Sequence, residues 1–117
     1  MKVALILVAL AALSACSDKP EERVRELLND PDSAKFSDVG TAGKFTCGFV
    51  NGKNTLGAYA GKRAFIVEDE FVQIETADDA AAGPSGVFWQ KFTNSCPKDV
   101  ASKYALFEFN RRHGSER

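Results

Sequence analysis

The chain has 117 residues, with 15 Lys and Arg against 16 Asp and Glu and a formal net charge of −1. That balance lacks the basic face a nucleic-acid partner requires and offers no polybasic patch for anionic lipid. The length is enough for one small domain and little more.

Met1 and Lys2 give a basic start to an unbroken apolar run over residues 3–13. The run has the length of a signal-peptide core and falls short of the roughly 20 residues that span a bilayer. It ends Leu13-Ser14-Ala15-Cys16. This resembles the lipobox of bacterial lipoproteins, in which a branched residue and two small ones precede a cysteine that is acylated and becomes the N-terminus. The resemblance implies a signal peptide over 1–15, a lipid anchor on Cys16 and membrane attachment through its acyl chains. Two or more chains hold firmly where one is marginal. Ser17 follows the cysteine, so the family's inner-membrane retention signal (Asp in that place) is absent. The implied location is the periplasmic face of the outer membrane, with the inner membrane as the lesser option. The competing reading is an ordinary secretory signal that ends in Cys.

Cleavage after residue 15 of the 117 leaves 102 residues and removes only Lys2 from the charged set, so 14 Lys and Arg stand against 16 acids, a charge of −2. With Cys16 lipidated, Cys47 and Cys96 remain, an even pair in an exported protein, and a disulfide is the default in an oxidising compartment. It closes a loop of roughly 50 residues, worth up to about 4 kcal/mol in the chain-entropy model. The alternative is two free buried thiols.

Residues 16–20 read as a short lipidated tether, followed by an α+β domain over 21–110 and a polar tail over 111–117. Val24, Leu27 and Leu28 fall at helical spacing within residues 21–30, with acids in the first turn, Pro20 at the start and Asp18 placed to cap. Asn29-Asp30-Pro31 ends that helix. Residues 32–36 are expected to form one more turn that docks Phe36 into the core. Over residues 44–53 the period changes to two, and Phe45, Cys47 and Phe49 share one face of a strand.

Three stretches then resemble a module of small bacterial and phage proteins without an assigned activity. They are Leu28-Asn29-Asp30-Pro31-Asp32-Ser33-Ala34-Lys35-Phe36, then Cys47-Gly48-Phe49-Val50-Asn51-Gly52-Lys53-Asn54, then Gly57-Ala58-Tyr59-Ala60-Gly61. The shared pattern is LxDPxSAxF, CGxVNxKN, GxYxG. Because the Gly52 position varies in that pattern, the resemblance favours a strand running on to about Lys53 over a tight Asn-Gly turn.

Residues 62–67 and 71–76 read as two more strands joined at Glu68-Asp69-Glu70, a β-hairpin. Residues 77–86, small and broken by Gly-Pro, read as an exposed connection. Ser85 is placed to cap a helix over residues 87–95, on which Phe88, Phe92 and Cys96 recur every fourth position as a buried stripe. In residues 98–109, Val100, Tyr104 and Phe107 share a helical face, while Ala105, Phe107 and Phe109 alternate, so helix and strand both stay open there. The expected fold is a small α+β domain. An N-terminal helix leads into about three antiparallel strands, and one or more C-terminal helices pack on one face, pinned by one disulfide.

The chemistry is sparse. His113 sits in the tail, where no Ser-His-Asp or Cys-His site forms around it. Two disulfide cysteines and one tail histidine supply no zinc set. Glu68-Asp69-Glu70 and Asp78-Asp79 lack the alternating donors of a calcium loop, and no phosphate-loop motif is present. Catalytic residues, metal and cofactor are therefore expected to be absent. A carboxylate pair for glycoside hydrolysis is a matter of spatial separation and stays open from sequence. Asn51, Lys53, Asn54, Tyr59 and Arg63 gather around a Gly-rich loop. They read either as a recognition loop for a protein or glycan, or as side chains that satisfy loop backbone while glycines supply positive φ. The functional expectation is a lipid-anchored periplasmic binding module with a protein partner. It serves as an envelope or secretion accessory or as an immunity, exclusion or inhibitor protein. The alternative is a small enzyme acting on cell-wall glycans.

Overall fold

The computed structural model describes residues 19–113. The signal peptide, Cys16, the capping role of Asp18 and residues 114–117 lie outside them. Pro20 fixes the first helical φ, and Glu21 and Glu22 sit at the positive end of the helix dipole, so α1 (Pro20–Arg25) begins as the sequence predicts. It ends earlier than predicted. The Leu27 and Leu28 amides fold back on the Val24 and Arg25 carbonyls in tighter i→i−3 turns, because Pro31 disfavours helix at Asp30. Pro31–Ser33 makes a single 3₁₀ turn.

Beyond this turn the chain departs from the sequence reading. The turn expected over residues 32–36 is confined to this 3₁₀ turn, and β1 (Lys35–Ala42) starts at Lys35 in place of its second half. Its sequence hides the strand because a register shift between Ser37 and Gly40, with Asp38 at φ 53°, interrupts the alternation. Phe36 still reaches the core, edge-on to Phe65 at 5.7 Å between centroids. β2 (Phe45–Asn51), β3 (Arg63–Glu68) and β4 (Phe71–Ile74) continue an antiparallel meander in the order β1-β2-β3-β4. The sheet thus has four strands where about three were expected.

The connection over residues 77–86 is also more ordered than its small, polar composition suggests. Thr76 accepts a hydrogen bond from the Asp79 amide, and the Asp79 carboxylate accepts one from the Thr76 amide, both at 3.0 Å. This capping box starts α2 (Ala77–Ala82), in which four of six residues are alanine and the two aspartates sit in the first turn. Ser85 does not cap the next helix; its hydroxyl donates to the Ala82 carbonyl, and Gly86 holds the cap position of α3 (Val87–Ser95). α4 (Lys98–His113) settles residues 98–109 as helix and carries Arg111 to His113, expected in the tail, as its last turn.

The sheet has helices on both faces. Val50, Phe65 and Val67 point toward Val24 of α1 and Leu28 just beyond it. Cys47, Phe49, Ala64 and Ile66 point the other way, into an aromatic core with Phe88, Phe92 and Tyr104 from α3 and α4. Cys47 and Cys96 are disulfide-bonded with their Cα atoms 5.8 Å apart, so the stripe Phe88, Phe92, Cys96 is fixed across the sheet as its spacing predicts.

Candidate functional site

The loop between β2 and β3 holds most of the residues singled out in the sequence, and their polar atoms are largely committed. The Asn51 side-chain oxygen accepts from the Gly61 amide at 3.0 Å, and that of Asn54 accepts from the Leu56 and Ala58 amides at 2.9 and 3.2 Å. Gly57 and Gly61 take φ of 85° and 113°, a backbone that favours glycine. Ser33 pins the loop to the segment before β1. Its hydroxyl accepts from the Lys53 amide at 2.8 Å and donates to the Asp30 carbonyl at 2.7 Å, while its own carbonyl accepts from the Tyr59 hydroxyl at 3.0 Å. Three separated stretches of the sequence pattern are therefore one contact network. Its exposed chemistry is cationic and aromatic, with the Lys35 and Lys53 ammonium groups 4.5 and 5.6 Å from the Tyr59 ring centroid.

Arg63 makes no hydrogen bond within that network, although it lines a small pocket with Lys53, Asn54 and Gly61. It is exposed at the start of β3 and donates one long hydrogen bond, 3.5 Å, to the Glu75 carbonyl. It lines a cleft of about 590 Å³ between the Gly61 end of the loop, α2 and the last turn of α4. Lys62 and Arg111 add two more cations to the walls, and Phe107, Ala77 and Ala80 supply apolar surface. The Lys62 ammonium lies over the Phe49 and Phe107 rings at 5.4 and 5.7 Å.

Behind this cleft is a cluster missed in the sequence. Glu75 and Glu108 are each only 1% exposed. The Glu75 carboxylate accepts from the Tyr104 hydroxyl at 2.9 Å and from Arg111 Nη2 at 3.0 Å, and the same nitrogen contacts Glu108. Burial, then the neighbouring Glu75 carboxylate, pushes the Glu108 carboxyl up to about 7, against the opposing pull of Arg111. Burial, then the Glu75 charge, raises the Tyr104 phenol well above its ordinary value. With both acids buried against one guanidinium, the raised value favours a proton on Glu108.

This pair bears on the question of glycoside hydrolysis. Both carboxyls contact the same Arg111 nitrogen and each is almost fully buried, whereas a glycosidase presents its two acids on either side of a sugar. Among the described residues no three His, Cys, Asp or Glu side chains gather as a metal set, and no helix is long and apolar enough to cross a membrane. The structure thus brings Asn51, Lys53, Asn54 and Tyr59 together, sets Arg63 between a small pocket shared with Lys53 and Asn54 and the larger cleft, and adds Lys62, Glu75, Glu108 and Arg111. A signal for Glu108 was present: Val100, Tyr104 and Glu108 continue one i+4 stripe, which places an acid on the inward face of a helix. In comparison with known proteins, no family model, no curated protein and no solved structure matches this chain.

Proposed function

We propose that this chain is a lipid-anchored module of the bacterial envelope that works by binding, held on the periplasmic face of the outer membrane. The Leu13-Ser14-Ala15-Cys16 motif carries the reading, standing four residues ahead of the first helical residue, Pro20. A fully extended spacer of that length reaches roughly 13–14 Å, so an acylated Cys16 keeps the domain against the bilayer. The fold supports a binding role. Its buried acids are turned inward on Arg111, and the groups it offers to solvent around the cleft are cations, amides and apolar surface. The partner is a periplasmic protein, met as an envelope or secretion accessory or as an immunity, exclusion or inhibitor factor. An adjacent toxin or prophage gene favours the second role.

Growth with a fatty-acid analogue tests the anchor. Wild-type chain becomes labelled and Cys16→Ser does not; equal labelling of both overturns the lipoprotein reading. Membrane fractionation then tests the outer-membrane location. Incubating the full chain with peptidoglycan tests the absence of catalysis, and turnover lost on a single carboxylate substitution would replace binding with hydrolysis.

A further inference from the structure

The cations of the cleft are not equivalent. Arg111 is compensated from within, because its Nη2 contacts both Glu75 and Glu108. Lys103, on the next stretch of surface, is paired with Asp38 at 2.9 Å. Lys62 and Arg63 have no carboxylate partner among the described residues. Lys62 lies over two aromatic rings, and Arg63 touches only a carbonyl oxygen at 3.5 Å. A guanidinium has five donors in a planar fork, so most of the recognition capacity of Arg63 is unspent. In a chain of net charge −1, two adjacent uncompensated cations on the wall of a concave site concentrate positive potential at one place.

The remainder of the wall narrows the ligand class. Phe107, Ala77, Ala80 and Ala60 line the same space with Asn29, Thr76 and Glu75, whose carboxylate is turned to Arg111 and Tyr104. About 590 Å³ falls in the range of clefts that enclose a small organic molecule. We propose that this cleft binds a small ligand carrying one oxyanion, a carboxylate or a phosphate ester, held by Arg63 and Lys62 with its apolar body against Phe107 and Ala80. The proposal goes beyond the protein-binding role argued above by adding a small-molecule site, and it does not depend on how the chain is anchored.

Phenyl phosphate and benzoate are suitable probes, with benzamide as the uncharged counterpart. Full chain in detergent micelles, labelled with nitrogen-15, is titrated with each and followed by amide NMR. Saturable shifts at Arg63, Thr76 and Phe107 are expected for an anionic probe, with at least tenfold weaker response to benzamide. The relative strength of phenyl phosphate and benzoate assigns the oxyanion as phosphate or carboxylate. Lys62→Gln/Arg63→Gln should weaken the anionic probe at least tenfold while leaving the amide spectrum of the β2 core in place. Micelle partitioning is the same for both proteins, so it cannot produce that difference. Shifts that do not saturate, that match those of benzamide, or that persist in the double variant overturn the site. Such a result leaves the anchor reading intact, because labelling at Cys16 is independent of this cleft.

Discussion

The two faces of the sheet are fastened in different ways. On the α3–α4 face the links are few, strong and distant in sequence: the Cys47–Cys96 disulfide spans 49 residues, and Glu75 meets Arg111 across 36. On the α1 face the core is smaller, formed from Val24, Val50, Phe65 and Val67. The adjoining loop is held by hydrogen bonds whose partners lie mostly within ten residues, with Ser33 as the one longer pin. Distant links restrict the unfolded chain and are lost all together, whereas local bonds open singly. The α3–α4 face should therefore set global stability, and the loop beside α1 should open first.

The largest effect tests that ordering at the disulfide. Cys47→Ala and Cys96→Ala should each cost about 4 kcal/mol, with the double variant little worse than either, since both remove one link. Thermal melts and a free-thiol count on denatured, unreduced protein check this. Two titratable thiols in the wild type would remove the covalent half of the comparison. Arg111→Met comes next. It leaves two buried acids facing each other without their cation, at about 3 kcal/mol, since one partner of a buried ionic cluster has been deleted while one-third of the Arg111 side chain is exposed.

The same acids make the α3–α4 face sensitive to pH. Folding raises the Glu108 carboxyl from 4.5 to about 7. Between those values the folded protein keeps a proton that the unfolded chain has released. Stability from this group is thus full below about 4.5, falls as pH rises toward 7, and is flat above, a difference on the order of 2 kcal/mol. Melting temperatures at pH 5 and pH 8 should differ in this sense for the wild type. Glu108→Gln resembles the protonated acid at every pH and should remove that part of the slope. An unchanged slope in the variant would place the titration elsewhere.

The contrast between near and distant partners also explains what the sequence made legible. Phe45, Cys47 and Phe49 alternate on a strand buried on that face, and Phe88, Phe92 and Cys96 recur at helical spacing, so both halves of the disulfide were readable from period alone. β1 was not, because its bulge at Ser37–Gly40 breaks the alternation that identifies a strand. Thr76 and Asp79 form a capping box whose side chains are both polar, which reads as loop when the nearby Gly-Pro dominates. Of the site, Asn51, Asn54, Gly57 and Gly61 declared their turn chemistry because their partners are near in sequence. Glu75 and Glu108 did not. Alternation puts Glu75 on the strand face opposite Val72 and Ile74, but only the path of α4 over that face makes the position buried. Lys62 and Arg63 look like any two surface cations until the fold shows which of the neighbouring cations are already paired.

The smallest effect sharpens the comparison from the other face. Ser33→Ala removes the acceptor of the Lys53 amide and the donor to the Asp30 carbonyl, a change worth about 1 kcal/mol in a part-buried setting. The Tyr59 hydroxyl keeps its partner, because that bond is to the Ser33 backbone carbonyl. Hydrogen exchange should therefore quicken at the Lys53 amide and, through the shared loop, at Ala58 and Gly61. The amides of Phe49 and Ile66 at the sheet centre should quicken only by the small global change. Tyr59→Phe should act on the same loop with a smaller effect, and the double variant should lose less than the two singles combined, since both loosen one pinned segment. If Ser33→Ala instead quickened exchange at Phe49 and Ile66 as strongly as Cys96→Ala does, the loop and the sheet would be one cooperative unit. The division between a locally held face and a distantly fastened one would then fail.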